Sequence, residues 1–111
     1  MKRFKTTARQ GEIMIVKVAD IPQEAVPVAP TDGLVIVGHS ETGHHHVMVA
    51  ERTKLFEQPD SLTRFLDVSE EDMLEHRRNF DTHEPIVFEP GKYRVQIRRE
   101  YTPEGFRRVA D

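Results

Sequence analysis

Four of the six histidines, His39, His44, His45 and His46, flank the segment Ser40-Glu41-Thr42-Gly43. Gly33 to His39 and His44 to Ala50 are apolar runs, and residues 40–43 have the length and composition of a hairpin loop. In that register His39 opposes His44, Val37 opposes His46 and Val35 opposes Met48. Directly opposed residues share a face of the sheet, so His39, His44 and His46 are expected together, with Ile36, Gly38, His45 and Val47 turned the other way. Three protonated imidazoles at such spacing repel one another, and a metal ion or carboxylates would relieve that cost. Neutral imidazole is a ligand for zinc, iron, nickel and copper, and an open position on such an ion would activate water.

The expected site is therefore His39, His44, His46 and His83 around a divalent metal ion (zinc, iron or nickel). His83 lies in Asp81-Thr82-His83-Glu84-Pro85, just before a proline that holds the backbone extended. Glu51, Asp81 and Glu84 are the carboxylates that could complete the set. The chain has no cysteine, which removes thiolate ligands, disulfides and cysteine nucleophiles. The same histidines also suit a polar pocket for a small-molecule ligand, or a solvated loop tip that takes up metal incidentally. His76 falls in a charged segment and is expected to face solvent. A glycine-rich phosphate loop, a nucleophile elbow and a His-Glu-x-x-His helix are all missing from the sequence. Ser61 has no evident base, and Ser40 beside His39 would point to the opposite face of a strand.

Positioning these residues is a task for strands. Residues 12–19 (EIMIVKVA) read as a buried strand. The proline-rich stretch 21–30 reads as an extended connector ending at an Asp32-Gly33 turn. Residues 53–57 and 62–68 read as a second hairpin across Gln58-Pro59-Asp60-Ser61, and 85–88 with 92–97 as a third across Glu89-Pro90-Gly91. Ser69 followed by Glu70, Glu71 and Asp72 resembles an N-cap with acids in the first turn, which predicts one short helix over 70–78. The fold class expected is all-β, a small barrel or sandwich with that single helix, in one domain spanning 1–111.

With 37% hydrophobic and 32% charged residues and no tryptophan, the core is modest and the chain belongs with soluble globular proteins. No apolar run is long enough to span a membrane, and Met1 to Lys5 leads into polar residues instead of a signal core, so a cytoplasmic location is expected. Net charge is −3, with an acidic excess in 51–89 and a basic excess in 90–111. The basic tail lacks the aromatic interleaving and overall positive charge of a nucleic-acid binder, so no nucleic-acid partner is expected. Arg94, Arg98 and Arg99 near Tyr101 are expected to pair with the acidic middle of the chain in preference to an external anion. The alternative to a metal site is a non-enzymatic assembly module, phage-related or operon-encoded, that forms a homo-oligomer through strand edges and the basic tail.

Gly38, then His44-His45-His46, then Glu51 resembles the first half of the cupin motif, which implies two histidines and a glutamate on a metal inside a β-barrel. The likeness covers about fourteen residues; the closing glycine of the motif would fall at Gln58, and the second half is not reproduced around Pro90-Gly91. More widely, Thr42 to His46, His83-Glu84-Pro85-Ile86, Pro90 to Val95 and Arg99-Glu100-Tyr101 look like a group of small uncharacterised bacterial and phage-associated proteins. That resemblance implies that His44, His46, His83, Tyr93, Glu100 and Tyr101 belong to one recurring unit.

Overall fold

Ile13 and Ile15 are buried while Met14 between them is exposed, the two-residue period of a strand covered on one face. The same rule runs through the computed structural model, which describes residues 2–3, 6–10, 13–38, 45–59, 61–76, 85–97, 99–102 and 105–108. Its strands are β1 (Lys2–Arg3), β2 (Thr7–Gln10), β3 (Ile13–Val18), β4 (Val26–Val28), β5 (Leu34–Gly38), β6 (His46–Val49) and β7 (Thr53–Glu57). They continue with β8 (Arg64–Val68), β9 (Asp72–His76), β10 (Ile86–Phe88), β11 (Gly91–Ile97), β12 (Arg99–Thr102) and β13 (Gly105–Arg108). One sheet has the order β1-β10-β9-β6-β5, a second β2-β3-β11-β8-β7-β4, and β12 and β13 form a separate hairpin. Among the described residues the pairings are antiparallel except β1 with β10.

The core lies between the two larger sheets. Val35, Val37, Met48, Leu74, Ile86 and Phe88 meet Ile13, Ile15, Leu55, Leu66, Tyr93 and Val95. Among the described residues both sheets have ends, so these strands form an open sandwich and not the closed barrel expected from the cupin likeness. Edge strand β4 carries Pro27, a residue that cannot donate to a ladder and is at home on an edge. No helix among the described residues is long and apolar enough to cross a membrane.

Several expected elements are present. The Asp32-Gly33 turn has positive φ at both residues, 51° and 76°, and the backbone bonds Thr31–Leu34 at 2.8 and 2.9 Å close it in both directions. That is the two-residue turn that suits the twist of a hairpin. The hairpin of β7 and β8 pairs Thr53 with Val68 through Glu57 with Arg64, and Ser61 serves its loop, its Oγ accepting from the Thr63 amide at 3.0 Å.

Other expectations give way. The helix over 70–78 is replaced across 72–76 by β9, which pairs with both β6 and β10. The Ser69 hydroxyl donates to the Arg52 carbonyl at 3.1 Å instead of capping a helix. Asp72 is buried, and its carboxylate accepts from Thr53 Oγ1 at 2.7 Å and from the amides of Met73 at 2.7 Å and Val49 at 3.0 Å. These partners lie on β6, β7 and β9, so tertiary bonding outweighs the weak local preference for helix. The third hairpin also separates: β10 and β11 lie in different sheets, the chain crossing the core at Glu89-Pro90. Phe88 and Tyr93 meet across that crossing edge to face, ring centroids 4.8 Å apart.

Tyr93 is buried, and its hydroxyl donates to the Glu89 carbonyl at 2.6 Å. Burial raises the phenol above its usual 10.0, and the Glu89 carboxylate adds to the effect. The folded state holds this proton more tightly than the unfolded state, so the resulting stability is complete below about pH 10 and lost as pH rises above it. Tyr93→Phe should cost about 1 kcal/mol near neutral pH and flatten the alkaline loss. Urea midpoints at about pH 7 and about pH 11 measure both effects; an equally steep alkaline loss in the variant would refute the assignment.

Candidate functional site

The histidine hairpin forms with one change of register. Val35 pairs with Met48 and Ile36 with Val47 as expected, but a bulge between Ile36 and Gly38 sets Gly38 opposite His46, where Val37 was expected. Arg64 reaches from β8 in the other sheet to the bulge, donating to the Ile36 and Val37 carbonyls at 3.1 and 3.2 Å. Gly38 thereby turns inward, contrary to the expected face. A Cβ there would lie 2.5 Å from Ile13 Cδ1 and 3.7 Å from His46 Cδ2, so glycine permits the close approach of the hairpin to β3.

His46 opens β6 and is completely buried. Its Nδ1 lies 2.8 Å from Oε1 of Gln10, and Nε2 of Gln10 donates to the Leu74 carbonyl at 3.1 Å. Gln10, 2% exposed, closes β2 in the opposite sheet, so one amide spans the core to β6 and β9. A carbonyl oxygen only accepts, so the amide nitrogen must face Leu74 and the amide oxygen must face the imidazole. That oxygen also only accepts, and the proton therefore sits on Nδ1. In the neutral ring the lone pair is then on Nε2.

Of the expected ligands, His46 is thus held in a defined state, whereas His39, His44 and His83 lie outside the described residues, as do Asp81 and Glu84. Glu51, the glutamate of the cupin likeness, is exposed in the turn between β6 and β7. His45 precedes β6 and is half-buried. His76, expected on a solvent-facing helix, instead ends β9, with its Cα paired to that of His46. Among the described residues no group of three histidine, aspartate or glutamate side chains gathers to hold a metal. Arg94 is half-buried on β11, and its Nε has no hydrogen-bond partner among the described residues.

Gln10 has no counterpart among the residues singled out from sequence, because a glutamine at the end of Thr7-Ala8-Arg9-Gln10 has no motif around it. Its only signal is position, three residues before a buried strand. A separate cleft of about 420 Å³ beside β4 and β7 is lined mainly by apolar groups, including Pro27, Val28, Val35, Leu55 and Phe56, with Lys54 among its lining residues.

Replacing Gln10 by leucine keeps the volume and leaves the His46 N–H and the Leu74 carbonyl without this partner. The expected loss is about 2–4 kcal/mol in urea unfolding, since each buried polar group left unbonded costs about 1–3 kcal/mol. A change within about 0.5 kcal/mol, typical of surface substitutions, would show that the bridge is not structural.

No curated protein and no solved structure matches the chain. A family profile described as a domain of unknown function, DUF8820, matches residues 9–98, from just before Gln10 through β11. This small, all-β, histidine-bearing chain belongs to the DUF8820 family.

Proposed function

We propose that this protein binds a divalent metal ion, zinc, iron or nickel, through its histidine hairpin, with His46 as the preoriented ligand and His39, His44 and His83 as further nitrogen donors. The observation that carries the proposal is the Gln10 bridge. A hydrogen bond from Nδ1 to a fixed acceptor sets the tautomer and stops the ring from turning, the role that outer partners play for metal-bound histidines. Preorientation matters because a free imidazole must give up rotamer entropy before it can bind, and His46 has already done so on folding. Without cysteine in the chain, imidazole and carboxylate are the available strong ligands, a set suited to zinc, iron and nickel. A coordination position left to water would give the ion a means of activating that water.

Elemental analysis of untagged protein, as purified and after reconstitution with each ion, tests this reading. The expected result is about one metal ion per chain, lost in His46→Ala and reduced in His44→Ala, with circular dichroism confirming that both variants keep their strands. No stoichiometric metal in either preparation of the unmutated protein would overturn it.

A further inference from the structure

We infer that the cleft beside β4 and β7 is a second binding site, for a small apolar monocarboxylate whose hydrocarbon body enters between the sheets and whose charge meets Lys54. β4 and β5 each form one end of a larger sheet, and both contribute to the lining. The floor is core: Val28 and Leu55, direct partners across β4 and β7, join Val35 of the facing sheet in one apolar cluster. The volume of about 420 Å³ falls within the roughly 300–1,000 Å³ usual for small-molecule sites. None of the lining residues is a histidine, so this site is separate from the metal site proposed above.

What the lining lacks defines the body of the ligand. Pro27 and Pro30 have no N–H to donate, and the Thr53 hydroxyl is already committed to Asp72 at 2.7 Å. A polar body would leave hydrogen-bonding groups unpaired against Val28, Val35 and Leu55, which is costly, whereas a hydrocarbon body removes apolar surface from water on both sides. Lys54 defines the head. It is the one charged side chain among the lining residues, it is exposed, and it makes no ion pair with any other described residue. Asp67 stands opposite it in the β7–β8 ladder without bridging to it, so an incoming carboxylate has no partner to displace. A lysine ammonium is a compact charge on a flexible stem, suited to a carboxylate that stays in contact with water while its chain is buried.

The test uses the full chain, with octanoate, octanol and acetate as probes, titrated by calorimetry at low salt into the unmutated protein and into Lys54→Gln. Octanoate should bind saturably and about threefold to fivefold more tightly than octanol, the margin expected of one exposed ion pair, and Lys54→Gln should erase that margin. Acetate, which has the charge without the body, should not bind. A second readout needs no variant: in ¹³C-methyl-labelled unmutated protein, octanoate should shift the methyl groups of Val28, Val35 and Leu55 and leave that of Met14, exposed on the outer face of β3, in place. Octanol binding as tightly as octanoate, or a margin that survives Lys54→Gln, would overturn the assignment of an anion. Unshifted cleft methyls at the highest octanoate concentration would overturn the site itself. If those methyls stay in place and sedimentation shows a dimer that Val28→Glu dissociates, the cleft is a surface for a second copy of the chain and the inference fails.

Discussion

The amide of Gln10 has to satisfy two buried groups on the facing sheet at once, and the geometry of the candidate site depends on that constraint. An amide has one donating and one accepting end, so its orientation is dictated by the Leu74 carbonyl, which can only accept. Everything at His46 follows: the proton on Nδ1, the fixed ring plane and the lone pair on Nε2. The net gain from such bonds over water is small, about 1 kcal/mol each, whereas leaving either partner buried and unbonded is costlier. The bridge is therefore better regarded as a specification of geometry than as a source of stability.

A second buried polar group performs the matching task at the start of β9. The Asp72 carboxylate accepts from β6, β7 and its own strand, while the Leu74 carbonyl is held from β2. With both ends of this network satisfied, β9 is locked in register with β6, and the opposition of His46 and His76 is a consequence of that register. The hairpin bulge acts in the same direction. Arg64 ties the carbonyls of Ile36 and Val37 to the opposite sheet, and Gly38 allows the hairpin to settle against Ile13 beside the imidazole.

How much of this was legible in the sequence depends on the range over which each feature is determined. Local signals served well: the β-branched run of β3, the short strands β7 and β8 across a proline-containing turn, the paired Val35 and Met48, and the Asp32-Gly33 turn, whose positive φ angles suit aspartate and glycine. The segment at 70–78 misled because Ser69 and its acids carry a genuine helix-start pattern, while the groups that claim Asp72 and the Ser69 hydroxyl lie at Val49, Thr53 and Arg52, distant in sequence. The crossing at Glu89-Pro90 has the composition of a hairpin turn, and only the separate partners of β10 and β11 distinguish the two. The bulge at Val37 moved His46 by one register position with no sequence mark beyond a glycine. Of the candidate site, His46 could be named from sequence. Gln10 and the placement of His76 could not, because both arise from pairing between distant strands.

The central claim is that Gln10 fixes the His46 ring with its proton on Nδ1, and the most direct measurement is the ring-nitrogen spectrum of ¹⁵N-labelled, metal-free protein near neutral pH. The account predicts that His46 shows a protonated Nδ1 and a lone-pair-bearing Nε2, and that this preference is weakened in Gln10→Leu. A His46 ring protonated on Nε2 with the lone pair on Nδ1, or one unaffected by the loss of Gln10, would contradict it.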